Sequence, residues 1–136
     1  FKGLCEGLEA AGIGADRSLQ RDAITTEEAG YAAARDLIDS GASFDAIFAG
    51  SDLIAIGALR ALAEAGLRVP ADVAVVGFDD IPSASLANPP LTTIQQDMRG
   101  AGERLVETLI AHIEGTELPP TRLPTRLIVR GSSAAA

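Results

Sequence analysis

Hydrophobic residues form two short, continuous runs in the middle of the chain, and each run ends in polar residues. Residues 44–49 lead into Ser51, and residues 73–78 lead into Asp79. Between the runs, residues 52–65 are rich in apolar side chains and contain no proline. Apolar runs without alternation are typical of strands covered on both faces in a parallel sheet. The pattern therefore predicts strand, helix and strand, with polar groups at the carboxyl ends of both strands.

The rest of the chain predicts further helices and short strands. Helices are predicted over residues 1–11, 25–38, 52–65 and 97–114, and shorter strands over residues 91–94 and 127–129. Prolines at 82, 89 and 90 predict an irregular chain between the second and third strands, and residues 132–136 are expected to form a flexible tail. The order of elements predicts an α/β fold in three layers, a parallel sheet between helices.

Composition excludes several classes of function for these residues. The chain has 136 residues, of which 47% are hydrophobic and 4% aromatic, so an aliphatic core is expected. The net charge of −8 argues against direct binding of nucleic acid or an anionic membrane, because both require a basic face. Cys5 is the single cysteine and His112 the single histidine. Neither a disulfide nor a zinc site is predicted, and one thiol fits a reducing cytoplasm.

The predicted strand ends hold the candidate ligand-binding residues, since open α/β sheets bind ligands at those ends. Asp79 can accept two hydrogen bonds from the hydroxyl groups of a sugar, although a role in the turn is the alternative. Ser51 can contact a ligand, cap the helix at 52–65, or do both. Asp52 is expected to serve the dipole of that helix. Gln96 can donate and accept toward a polyol, and surface solvation is its alternative.

Helix 52–65 also predicts a homodimer. Beyond its first residue, its only charged side chains are Arg60 and Glu64, so it is apolar on nearly every side. The sheet accounts for one of its faces, and a second copy of the chain is the simplest cover for the rest. Ile56, Leu59 and Ala63 are expected near the two-fold contact.

Several motifs, in this order, resemble the lactose-repressor (LacI/GalR) family of bacterial transcription regulators. The segment Ala49-Gly50-Ser51-Asp52 with Ala55 and Gly57 is similar to that family's pattern A-x-N/S-D-x-x-A-x-G. The resemblance continues through residues 66–70, 72–80, 89–94 and 127–132. It covers essentially the whole chain.

The resemblance implies a fold and a function. Family members carry a helix-turn-helix headpiece, a hinge and a two-lobed effector-binding core that is periplasmic-binding-protein-like. This chain would be a fragment of that two-lobed domain: residues 1–95 and 122–131 form one lobe, and helix 97–114 belongs to the other. A small-molecule effector, expected to be a carbohydrate, would bind between the lobes of a cytoplasmic repressor. Operator DNA would be bound only through a headpiece outside this chain.

The resemblance also assigns site residues. It implies that Asp79 and Gln96 contact the effector, with Ser51 at a position often held by asparagine. Leu4 stands where the family often has an aromatic residue against the sugar ring; it could pack against the effector there, but it offers no stacking surface of that kind.

Two rival functions remain at this point. A periplasmic sugar-binding protein of a transport system shares the fold and the cleft, and a full-length N-terminus would discriminate between the two. An enzyme would require a phosphate loop, a metal cluster or a nucleophile–base pair. The sequence offers none of these, since Gly12 and Gly14 begin a dinucleotide motif that Arg17 breaks. No catalytic residue, metal or cofactor is expected.

Overall fold

A four-stranded sheet forms the centre of the protein in a computed structural model that describes residues 2–134. The strands are β1 (Ala46–Phe48), β2 (Ala74–Asp79), β3 (Thr92–Gln96) and β4 (Thr125–Ile128). The helices are α1 (Lys2–Ala10), α2 (Glu27–Asp39), α3 (Asp52–Glu64), α4 (Pro82–Leu86) and α5 (Met98–Ile113), with a 3₁₀ turn at Arg17–Leu19. Phe1, the predicted start of the first helix, lies outside the described residues. The predicted α/β fold is confirmed.

Strand β2 lies between two parallel neighbours. Phe48 of β1 is aligned with Val76, and Thr92 of β3 is aligned with the same residue. β4 then pairs antiparallel to β3. Because parallel strands run in one direction, the carboxyl ends of β1, β2 and β3 lie at one edge of the sheet.

Helix α3 packs on one face of this sheet and builds the core with it. Ala55 and Leu62 of α3 are fully buried in the same cluster as Val75 of β2. On the opposite face, Phe48 is 45% exposed and Phe78 only half-buried. The prediction that both strands are covered on both faces was therefore wrong for that second face. Helix α1 buries none of its residues.

Helix α2 supplies the second cover of α3. A Cβ atom on Gly57 would lie 2.0 Å from the carbonyl oxygen of Glu27, so the two backbones are in direct contact. Tyr31 of α2 stacks under the Arg60 guanidinium, 4.4 Å from its ring centre, and donates a 2.6 Å hydrogen bond to Glu64. The cover expected from a second copy of the chain thus comes largely from the chain itself.

This packing changes the predicted dimer contact. Leu59 is 5% exposed and belongs to the core cluster, so little of its side chain is left for a partner, and its place near a two-fold contact stays a prediction. Ile56 is half-buried and Ala63 is exposed, so both stay predictions as interface residues.

Helix α4 replaces part of the irregular chain predicted from the prolines. Pro82 is its first residue, where a missing N–H leaves no hydrogen bond unmade. Ala84 of α4 is fully buried, and its carbonyl accepts from the N–H of Leu91. A proline at a helix start was thus read as a helix breaker.

The C-terminal segment is held in the sheet where a flexible tail was expected from residue 132. Ser132 is fully buried, and its hydroxyl donates to the Val75 carbonyl at 2.6 Å and accepts from the Thr92 N–H at 2.8 Å. It therefore bridges the starts of β2 and β3. The prediction of a flexible tail was wrong for this residue, because its hydroxyl makes hydrogen bonds to the backbones of both strands. Ala135 and Ala136 lie outside the described residues.

Helix α5 leaves its apolar side uncovered. None of its residues is buried, and its exposed large apolar side chains are Met98, Leu105, Val106, Leu109, Ile110 and Ile113. Arg104 of α5 donates to Thr121 and to the Pro119 carbonyl, which fixes the following segment along the helix. Within residues 2–134, no helix combines the length and the apolarity that a membrane span requires.

Arg68 and Asp72 close the turn that leads into β2. The Asp72 carboxylate accepts from the Arg68 side chain and from its backbone N–H, each at 2.8 Å. The side-chain hydrogen bonds and then the backbone bond lower the pKa of Asp72 from 3.8 to about 2.

Replacing Gly57 with alanine should destabilise the fold. The added methyl group would force α2 and α3 apart at a backbone contact, and overpacking of this kind costs about 1–3 kcal/mol. Urea denaturation measures the free energy of unfolding. Gly102→Ala is the matched control on α5, where a Cβ would meet open space and the helix should gain about 0.5–1 kcal/mol. Equal effects of the two substitutions would contradict the packing described here.

The Arg68–Asp72 turn should make stability depend on pH in the acid range. Because the folded pKa of Asp72 lies below its unfolded value near 4, its contribution is present above about pH 4 and lost as pH falls toward 2. Carboxyl-carbon NMR titration should give a midpoint near 2 for Asp72. In Arg68→Met the midpoint should rise, and an unchanged midpoint would exclude Arg68 as the cause.

Candidate functional site

Asp79 and Gln96 meet at the edge of the sheet where the parallel strands end. Asp79 is the last residue of β2 and Gln96 the last residue of β3. The Gln96 amide donates a 2.6 Å hydrogen bond from Nε2 to Asp79 Oδ1, and both residues are half-buried. This contact orients the carboxylate and leaves Oδ2 and the amide oxygen of Gln96 as acceptors for a ligand. The structure therefore brings together the two side chains that the sequence proposed.

The backbone at this point adopts a conformation that L-residues rarely take. Asp79 has φ of 116° and Asp80 has φ of 57°, and neither is glycine. Such residues are strained, and they persist where surrounding contacts hold them. The strained pair turns the chain from β2 into α4 and so sets the direction of the Asp79 side chain.

Asp80 is occupied by protein contacts. Its carboxylate accepts from Arg130 Nη2 at 2.7 Å and from Gln95 Nε2 at 2.8 Å. The same Arg130 donates from Nη1 to the Leu91 carbonyl at 2.9 Å. The charge of Asp80 is thus balanced within the chain, whereas Asp79 has an amide as its partner.

Ser51 lies at the same edge and caps α3. Its hydroxyl accepts from the Ile54 N–H at 3.4 Å, and the residue is 4% exposed. The capping alternative is therefore present in the structure, and contact of Ser51 with a ligand stays a prediction.

Asp52 is a residue of this region whose role the sequence missed. It is fully buried, and Oδ2 accepts from the Ile81 N–H at 2.9 Å while Oδ1 accepts from Thr93 Oγ1 at 2.6 Å. It thereby joins the start of α3 to the turn after β2. The available signal was Gly77, a glycine inside a buried strand, where a Cβ would lie 2.3 Å from Asp52 Oδ1.

Leu4 is the remaining residue that the sequence assigned to the site. It sits on α1, which buries none of its residues, and is 36% exposed. Its expected contact with an effector stays a prediction.

A cavity of about 340 Å³ opens beside Gln96, between the start of α5 and the start of β4. Its lining residues are Gln95, Gln96, Asp97, Pro124, Thr125 and Arg126. Asp79 is not among them. Ligand pockets have volumes of roughly 300–1,000 Å³. Another cavity, of about 280 Å³, lies along the outer edge of β1 and contains neither Asp79 nor Gln96. In the part of the chain that the structure covers, no three His, Cys, Asp or Glu side chains are grouped as metal ligands would be.

Comparison with known proteins identifies one domain family and several similar regulators. Residues 1–133 match the model of the periplasmic binding protein-like domain. The regulator CelR of Thermobifida fusca is 42% identical over 97% of this chain and 39% of its own length. The lactose operon repressor of Rhizobium radiobacter is 41% identical over 78% of this chain and 95% of its own length.

Solved structures show the same similarity. A complex of the regulator CelR with cellobiose superimposes with a TM-score of 0.89 at 42% identity, over 96% of this chain and 41% of that one. A LacI-type transcription regulator from Bifidobacterium animalis gives a TM-score of 0.87 at 35% identity, over 97% of this chain and 48% of that one. The chain thus spans less than half of each of these structures.

Arg130→Met should destabilise the edge of the sheet. The Asp80 carboxylate would lose its cation while only 12% of its side chain is exposed. Breaking a fully buried pair costs about 3–5 kcal/mol, and since water reaches part of this pair, we expect about 2 kcal/mol. Denaturant unfolding measures the loss, and adding Asp80→Asn should recover part of it. Arg35→Met, which breaks the exposed pair with Asp39, should cost about 0.5 kcal/mol or less. Similar losses for both would contradict a special role of Arg130.

Proposed function

The chain belongs to the lactose-repressor (LacI/GalR) family, with its periplasmic binding protein-like domain, and we propose that it forms part of the effector-sensing domain of a DNA-binding transcriptional regulator. The single observation that carries the proposal is the Asp79–Gln96 pair at the carboxyl ends of parallel strands. A carboxylate beside an amide, with the Arg130 guanidinium paired to Asp80, suits a neutral ligand rich in hydroxyl groups. The relatives named above are regulators, which favours this function over delivery of a solute to a transporter and over catalysis.

The proposed effector is a carbohydrate. The solved structure of the regulator CelR contains cellobiose, and that sugar is a suitable first probe here. Hydroxyl groups would donate to Asp79 Oδ2 and accept from Gln96 or the start of α3. Ser51 and Leu4 would complete the contacts as predicted from the sequence.

The effector would act by changing the relative stability of two lobe arrangements. A ligand shifts such an equilibrium only by its differential affinity for the two states. The bound arrangement would then set the affinity for operator DNA. Induction and corepression both follow from this scheme.

We propose that α5 packs in a second lobe that this chain does not contain. The curated relatives CelR and MalR are matched over 39% and 37% of their length. The apolar side of α5, with Leu105 and Ile113 more than 70% exposed, would be buried there. Residues 1–95 and 122–131 would then form the lobe described here.

We further propose a homodimer and an indirect contact with DNA. Solved relatives include a dimeric Lac repressor and a Lac repressor dimer bound to operator. Ile56 and Ala63 lie on the part of α3 that the core does not fully bury, and they would contribute to the interface. The charge of −8 favours a DNA contact through another segment, such as a basic headpiece.

A thermal-shift screen of sugars against the full-length protein tests the function. A ligand at 100 times its dissociation constant adds about 2.7 kcal/mol of stability, so cellobiose or another sugar should raise the melting temperature. Asp79→Ala should abolish the rise because it removes the main acceptor. Asp45→Ala is the matched control, since Asp45 is exposed and precedes β1 at the opposite edge of the sheet. A full rise in Asp79→Ala would remove this site from the proposal.

A further inference from the structure

We propose that Asp52 is a positioning residue for effector binding, because its buried carboxylate holds the strained turn that presents Asp79. The assignment rests on the proposed function for what the site binds. The positioning itself depends only on the contacts of Asp52 and can be tested separately.

Both carboxylate oxygens of Asp52 accept hydrogen bonds, one from the residue that follows the strained pair and one from a side chain of β3. Oδ2 accepts from the Ile81 N–H, which directly follows Asp80 in the chain. Oδ1 accepts from Thr93 Oγ1, and that hydroxyl in turn accepts from the Asp80 N–H at 3.4 Å. One carboxylate therefore fixes the turn directly at Ile81 and, through Thr93, at Asp80.

The turn requires such a restraint. The positive φ values of Asp79 and Asp80 are unfavourable for residues with a Cβ atom, so the turn would relax if its anchors were removed. Relaxation would rotate the Asp79 side chain away from Gln96, whose amide donates to it at 2.6 Å. The effector site would then lose its main acceptor without any substitution at Asp79.

The fold makes space for this carboxylate at a cost to the sheet. Gly77 lies in β2, where a side chain would pack in the core, yet a Cβ there would lie 2.3 Å from Asp52 Oδ1 and 2.9 Å from Leu91. An interaction of Asp52 with the helix dipole, which the sequence predicted, requires neither full burial nor two specific donors. The burial of Asp52 and the glycine opposite it both indicate positioning of the turn.

NMR of the full-length protein tests the positioning without a ligand. The side-chain amide signal of Gln96, assigned by its loss in Gln96→Ala, reports the hydrogen bond to Asp79. In Asp52→Ala the signal should move to the position found in Asp79→Ala. Asp52→Asn keeps an acceptor for the Ile81 N–H and can donate to Thr93 Oγ1. Its Gln96 signal should therefore keep at least half of the shift difference between wild type and Asp79→Ala. Leu62→Ala is the control, because Leu62 is a fully buried residue of the same helix and its loss should leave the signal in place.

Binding measurements connect the turn to the effector. Titration with cellobiose, at a temperature well below the melting temperature of every variant, measures the dissociation constant. Asp52→Ala should raise it at least tenfold over wild type, and Leu62→Ala should leave it within about twofold of wild type. If wild type binds no sugar, the proposed function fails, while the Gln96 signal still decides the role of Asp52. If Asp52→Ala does not fold, the same measurements are made on Thr93→Val, which removes one of the two donors to Asp52. A Gln96 signal at the wild-type position in the folded variant would overturn the inference.

Discussion

The parallel pairing of β2 with a strand on each side is the constraint on which the rest of the structure depends. Parallel neighbours place three strand ends at one edge, and they do so by backbone hydrogen bonds that no single side chain can undo. Asp79 ends β2, Gln96 ends β3 and Ser51 follows β1, and this pairing brings all three to one edge of the sheet. The chemistry of the edge follows from the register, since a shift by one residue would turn each side chain to the other face.

The helical layer depends on small residues at close contacts. Gly57 lets α2 approach α3, and Gly77 lets the Asp52 carboxylate enter the space between α3 and β2. With only 4% aromatic residues, the chain fills its core by bringing backbones together. Contacts of this kind tolerate little change in volume, because they lie between main-chain atoms or fully buried groups.

Much of this arrangement could be predicted from local patterns. Apolar runs ending in polar residues located β1 and β2, and they placed Asp79 at an exposed edge. Contacts between distant segments were not predictable in the same way. The burial of Leu59 depends on which side of α3 faces the sheet, and the burial of Ser132 depends on a gap between β2 and β3 that only the folded chain defines. Pro82 was misread because a proline can begin a helix as well as end one. Asp52 does lie in the first turn of α3 as expected, but its hydrogen bonds to Ile81 and Thr93 were not predicted because a dipole contact sufficed to explain it.

The ion pair between Asp80 and Arg130 joins positions 50 residues apart in the chain. Loss of either partner alone would leave the other with its charge poorly compensated beside the strand ends. During divergence within the family, these two positions should therefore change together, and a neutral residue at one should be accompanied by a neutral residue at the other. Such co-variation among distant relatives would show that the segment after the last strand and the turn after the central strand depend on each other.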